Sequence, residues 1–279
     1  MEKIIVPTDF SDNSKPGLRF AIRLAARGKV SLNFVHVLQV KRPFVADASE
    51  DDFERVKAEQ IQKAQSKLET FVRKVYQSLK VEPGDYHCEI IEGIKADICL
   101  IDYCNKHPEV KYIVISTRGA SFMNKVLGTN TGNLITKSPV PVIAVPKDYR
   151  FKPLRNVLYA SDLENVEEEF EKVLAFARPK GLSIELLHFY RTTVDDLPTQ
   201  MDLKDLEVKA GIPLMFHLEK NDPHRPMIEN LQSFLAKTQP SVVILFTRQQ
   251  RKYFEKFFLS SMSEDLSFKI QTPLLVFNK

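Results

Sequence analysis

The chain of 279 residues predicts an α/β fold of two tandem domains, each built on a doubly wound parallel sheet. Three observations carry that expectation. Short apolar runs alternate with helical patterns, those runs lack strict polar alternation, and the sequence repeats itself once. Alternating strands and helices imply parallel pairing, and runs without polar positions imply strands covered on both faces.

In chain order, the strand-like runs of the first half are IIVPT, LNFVHV, YHCEII, YIVIS and VPVIAV. Helical patterns lie between them. The stretch from Ser14 to Arg27 carries Leu18, Ala21, Ile22 and Ala25 on one face. A longer one, Asp51 to Lys80, carries Leu68, Phe71, Val72, Val75 and Leu79, and its acidic start at Glu50-Asp51-Asp52 suits a helix N-terminus. Asp97 to Lys106 supplies Ile98 and Ile101. The run Glu167-Glu168-Glu169 is expected to form a solvated helix face.

Four segments recur in the same order. KIIVPTDFS matches NVLYASDLE, aligning Asp9 with Asp162, and GKVSLNFVHV matches KGLSIELLHF, aligning His36 with His188. YIVISTR matches VILFTR, and SPVPVIAVPK matches IQTPLLVFNK, aligning Pro141 with Pro273. The boundary falls in the charged stretch 147–153, which gives domains at 1–147 and 153–279. The proline-led last runs of both halves, VPVIAV and PLLVF, would make poor exposed edges and are expected to pack against each other.

Composition excludes several classes. No run of about 18 apolar residues is present, so no membrane partner is expected. The net charge of +4 lies in the first half and is too mild for a nucleic-acid footprint. Cys88, Cys99 and Cys104 form no CxxC pair, and the start MEKIIVPTDF lacks a signal-peptide layout, so a cytoplasmic protein with reduced thiols is expected. His36 and His188 have no second ligand at metal spacing and read as strand-end histidines. The chain has no Gly-x-Ser-x-Gly elbow, no HExxH and no lysine placed as in a P-loop, Lys125 included.

Sheets of this kind bind ligands beyond the carboxyl ends of their strands, where the strand order reverses. Pro7-Thr8-Asp9 and Ser116-Thr117-Arg118-Gly119 are strand ends of that kind. Gly128-Thr129-Asn130 follows Gly119 after a spacer of eight residues and leads into a helix.

A strand running into Pro-Thr-Asp-x-Ser, a strand ending in His-Val, and a late glycine loop followed by SPVPV together resemble the universal stress proteins. The resemblance spans nearly the whole chain as two copies. It implies a five-stranded Rossmann-like sheet per domain, of the adenine nucleotide α-hydrolase-like kind, with the domains packed as an intramolecular pseudo-dimer through their last strands. In nucleotide-binding members it implies an ATP site, here with Mg2+ as an accompanying ion. Carried over by position, Asp9 would accept hydrogen bonds from the nucleotide, Pro7 and Thr8 would line that edge, and Val37 would pack on the adenine. Ser116, Arg118 and Gly119 would form the near side of the phosphate loop. Gly128, Thr129 and Asn130 would present N–H groups and a hydroxyl at a helix start, where anions are favoured.

The family loop reads Gly-x2-Gly-x9-Gly-Ser/Thr. Here Ser116 stands for its first glycine and the spacer has eight residues, a loss that moves Gly128 by up to about 3.5 Å. The corresponding stretch of the second half, TRQQRKYFEKFFLSSMSE, contains no glycine. Plainer readings stand beside these. Asp9, Ser11 or Asp12 could cap the following helix, Gly119 and Gly128 could be turn glycines, and Arg118 and Arg248 could be solvated. Two functions follow: a stress-response regulator binding ATP in its first domain with at most weak turnover, or an interaction scaffold without a nucleotide. A protein partner and a homodimer are open under both. Adenylate chemistry would need a HIGH or SGGxDS signature, which the chain lacks.

Overall fold

The structure is a computed structural model that describes residues 2–41, 50–117, 129–150, 152–190, 200–246 and 271–278, with the backbone alone at 129–131, 200–203 and 228. The first half contributes strands β1 (Glu2–Pro7), β2 (Val30–Leu38), β3 (Tyr86–Glu92), β4 (Val110–Ser116) and β5 (Val142–Val145). Its helices are α1 (Lys15–Ala25), α2 (Glu50–Leu79), α3 (Ala96–Lys106) and α4 (Thr129–Lys137). The second half contributes β6 (Asn156–Ala160), β7 (Ser183–Tyr190), β8 (Leu214–Lys220), β9 (Val242–Phe246) and β10 (Leu274–Phe277), with helices α5 (Val166–Ala177), α6 (Gln200–Ala210) and α7 (Met227–Thr238).

Among the described residues, ten strands form one sheet in the order β3-β2-β1-β4-β5-β10-β9-β6-β7-β8. Pairing is parallel within each half. At the centre β5 and β10 pair antiparallel, with Leu274 opposite Ala144, Leu275 opposite Ile143 and Val276 opposite Val142. The last strands meet as expected, but edge to edge, so that two five-stranded sheets become one. Both are only four residues long and wholly buried, and each covers the edge the other would expose.

The strands are apolar at successive positions because helices cover both faces. Ile4, Ile5 and Val6 are all sealed from solvent. Ile4 and Val6 belong to a core with Phe34 of β2, Phe20 of α1, and Leu68 and Val72 of α2. Ile5 faces the opposite core with Val35 of β2, Leu100 of α3, and Leu134 and Ile135 of α4. Helix α2 runs about 45 Å at 1.5 Å per residue, yet its buried residues, Ala64, Leu68, Val72, Val75 and Tyr76, lie from its middle onward. The acidic first turn expected at 50–52 is present. The glutamate run of α5 departs from expectation. Glu167 and Glu168 face solvent, but Glu169 is buried and accepts a hydrogen bond from the Tyr159 hydroxyl at 2.5 Å.

Candidate functional site

From β1 the chain continues outward to β2 and β3, and from β4 inward to β5, so the strand order reverses between β1 and β4. These two strands are neighbours, which sets Pro7-Thr8-Asp9 beside Ser116-Thr117 at their carboxyl ends. Helix α4 opens at Thr129.

The turn after β1 is closed by its own side chains. Thr8 N–H donates to the Val35 carbonyl at 2.9 Å. The Thr8 hydroxyl accepts from Phe10 N–H at 3.1 Å and lies 2.8 Å from the Ser14 hydroxyl. Ser14 spends its proton on the Ser11 carbonyl at 2.8 Å, so Thr8 is the donor to Ser14. Asp9 Oδ1 accepts from Ser11 N–H at 3.0 Å and from the Ser11 hydroxyl at 2.6 Å. Short polar side chains close turns in this way, and here they hold Phe10 at a left-handed φ of 65°. The exposed Asp9 therefore shapes the turn; it is not the cap of α1. His36 donates from Nδ1 to the Thr8 carbonyl at 2.8 Å, which settles its tautomer and explains a histidine at this strand end.

Ser116 has a role that its spacing did not reveal. Its hydroxyl accepts from Gly17 N–H at 2.6 Å and donates to the Ser14 carbonyl at 2.9 Å. The first N–H groups of a helix lack partners within it, and Ser14, at the N-cap of α1, makes no side-chain capping bond. A side chain from β4 supplies the missing acceptor. The approach is close: a Cβ at position 17 would stand 2.8 Å from Ser116 Oγ and 2.9 Å from its backbone nitrogen. In sequence, Asn13-Ser14-Lys15-Pro16-Gly17 at a helix start offers both a capping hydroxyl and a residue without a side chain.

Val37 pairs with Ile91 near the end of β2 and is half-buried, as is Pro7. Its Cγ1 would lie 3.9 Å from a Cβ at Gly93, where the chain leaves β3. Beyond Gly93, Ile94 and Ile98 are 77% and 50% exposed. The structure thus gathers Pro7, Thr8, Asp9 and Ser116 at neighbouring strand ends, with Val37 one strand away on β2. Arg118, Gly119 and Gly128, with Lys125 and Arg248, lie outside the described residues, and Thr129 and Asn130 are described by backbone as the start of α4.

The second half repeats four bonds of the turn. Ser161 N–H donates to the Leu187 carbonyl at 2.9 Å, Leu163 N–H to the Ser161 hydroxyl at 3.0 Å, and Glu164 N–H to Asp162 Oδ1 at 3.1 Å. Leu163 has φ 70°, and His188 donates from Nδ1 to the Ser161 carbonyl at 3.0 Å. Behind the turn the chemistry differs. Ser161 donates to the Tyr159 hydroxyl at 2.9 Å, and Tyr159 to Glu169. Phe246 ends β9 where Ser116 ends β4, packing on Tyr159 with ring centroids 5.7 Å apart. Glu169 precedes the buried Phe170 as Gly17 precedes Leu18. Helix α1 lies close along β4, whereas α5 makes no comparable approach to β9, since large side chains stand between. Burial pushes the Asp162 carboxyl above its usual range, with the Glu164 N–H pulling the other way. Burial and the nearby Glu169 raise the Tyr159 hydroxyl.

Comparison with known proteins agrees with this geometry. A universal stress protein of Methanocaldococcus jannaschii is 27% identical over 147 residues, covering 52% of this chain and 82% of that protein. The crystal structure of a universal stress protein from Archaeoglobus fulgidus superposes with TM-score 0.68 at 16% identity, covering 99% of this chain and 98% of its own, and so shares the whole fold. A universal stress protein solved in complex with cAMP matches 52% of this chain at 17% identity with TM-score 0.38 and covers 96% of its own length. Among the described residues, no helix is long and apolar enough to cross a membrane. Residues 1–146 match the family described as Universal stress protein family, and the chain belongs to that family.

Proposed function

We propose that this protein is a cytoplasmic stress-response regulator that binds ATP, accompanied by Mg2+, in a first domain spanning residues 1–147. The second domain, 153–279, is a degenerate copy. Pro7, Thr8 and Asp9 line the nucleoside edge and Val37 packs on the base. The segments 116–119 and 128–130 receive the phosphates. Turnover is negligible, because phosphoryl transfer needs a positioned water and charge stabilisation, and the residues gathered at the strand ends offer neither. Nucleotide occupancy biases a surface that a protein partner, or a second copy of the chain, reads.

The observation that carries this reading is the adjacency of the β1 and β4 carboxyl ends at the reversal of strand order, with α4 opening just after the glycine loop. The residues fit the ligand: Asp9 is exposed at the mouth, and a helix start favours phosphate. Titration calorimetry with Mg-ATP tests it. Binding near one nucleotide per chain, lost in Gly128→Val, is the expected result. Two nucleotides per chain, or binding indifferent to that substitution, would overturn the assignment.

One observation favours the scaffold reading instead. Asp9 makes the same turn contact as Asp162, in a half without a glycine loop, so the aspartate has a structural use in both halves. Absence of heat at millimolar ATP would select that reading.

A further inference from the structure

We propose that Ser116 and Ser14 form a hydroxyl lock that sets the spacing of the β1 and β4 ends, so that Ser116 positions the nucleotide crevice without touching the ligand. This inference rests on the nucleotide reading of the first domain and assigns Ser116 a different role within it.

The lock has two arms that meet at residue 14. Phe10 N–H donates to Thr8, Thr8 to Ser14, and Ser14 to the Ser11 carbonyl, which ties the β1 turn to the start of α1. Gly17 N–H donates to Ser116, and Ser116 to the Ser14 carbonyl, which ties the same start to the end of β4. Thr8 and Ser14 are buried, and Ser116 is half-buried. A hydroxyl has one proton to give, and every proton of the three is spent inside the protein. The Ser116 hydroxyl thus has no hydrogen to offer a phosphate. Two strand ends that must straddle one ligand are both fastened to the same helix turn, and the glycine at position 17 permits the fastening by letting α1 approach within reach. Where Ser116 has given way to Phe246, Gly17 has given way to Glu169, and the glycine loop is gone as well. Lock and loop are present together in one half and absent together from the other.

The test is a double-mutant cycle on the full chain. Mg-ATP affinity is measured for Ser14→Ala, Ser116→Ala and the double variant, at a temperature where all are folded. With one lock, each single substitution weakens binding by about tenfold, the scale of one hydrogen bond. The double variant is then no weaker than the worse single one, because partners in a network are not additive. Loss in Ser116→Ala with full affinity in Ser14→Ala means that Ser116 contacts the ligand, and the proposal falls. Additive losses overturn it as well. Hydrogen exchange at the Gly17 amide provides a readout without nucleotide. Exchange faster by about tenfold in Ser116→Ala is expected, and an unchanged Gly17 amide in that variant overturns the lock. If the wild-type chain binds no nucleotide, the nucleotide reading fails on its own account and the Gly17 amide alone decides whether the lock exists.

Discussion

At the end of β1, Thr8, Asp9 and His36 hold a turn with a left-handed Phe10; at the end of β6, Ser161, Asp162 and His188 hold the same turn with a left-handed Leu163. The difference lies in what stands behind each turn. The first half keeps small and polar groups there, Gly17 and Ser116, and draws its helix onto the sheet. The second inserts Tyr159, Glu169 and Phe246 and keeps its helix at a distance. The comparison teaches that the Asp-bearing turn is a property of the fold, while the close helix approach marks the half that retains the glycine loop.

The largest expected effect comes from the residues that end β4 and β9. Phe246 is 1% exposed and stacks on Phe277 with ring centroids 4.8 Å apart. Phe246→Ala is expected to cost about 3–5 kcal/mol, against about 1 kcal/mol for Ser116→Ala, which removes hydrogen bonds and little volume. Denaturant midpoints of both variants measure this, and comparable losses would mean that the two strand ends are not built on different principles.

Tyr159→Phe comes next. It deletes the donor to the buried Glu169 carboxylate and is expected to cost about 1.5–3 kcal/mol, the scale of a hydrogen bond to a charged group. A neutral outcome would show that the Glu169 carboxylate does not depend on this donor.

Gly17→Ala is expected to cost about 1–3 kcal/mol by forcing α1 away from β4, in the manner of an overpacked core. Gly28→Ala is its control, since a Cβ there meets nothing closer than Val30 Cγ2 at 3.6 Å. Equal stability of the two variants would remove the argument for a close helix approach.

The smallest effect concerns Asp162. Its carboxyl is raised by burial above the ordinary 3.8, so the folded state holds its proton more tightly than the unfolded chain. That contribution is fully present below about 3.8 and is lost as the pH rises through the folded value. Asp162→Asn keeps the acceptor for Glu164 N–H and removes the charge. The variant should therefore be slightly more stable than wild type at neutral pH, with the advantage shrinking on acidification. An advantage that grows toward low pH would reverse the sign and break the argument.

Much of this was legible in advance because it depends on local pattern. Val6, Phe34 and Val114 announced buried strands by being apolar without alternation. The aligned Pro141 and Pro273 do equivalent work, their carbonyls accepting from Ile113 and Val243 at 3.0 and 2.9 Å. A run of three glutamates looks solvated by pattern, and it is the Tyr159 hydroxyl on a neighbouring element that makes Glu169 a core residue. Ser116 was read through its place in a loop motif, whereas its partners, Ser14 and Gly17, lie about a hundred residues away.

The sequence by itself determined the α/β class, the internal repeat, the meeting of the last strands and the family, because each is written in spacing and order that neighbouring residues share. The tertiary structure decided that the two sheets fuse through β5 and β10, since that pairing joins residues about 130 apart in sequence. It also decided that Asp9 closes a turn, that Ser116 caps a helix from another strand, and that the second crevice is filled from behind. Hydrogen bonds and packing between residues remote in sequence depend on where the backbone brings them, and that placement comes only when both faces of the sheet are covered.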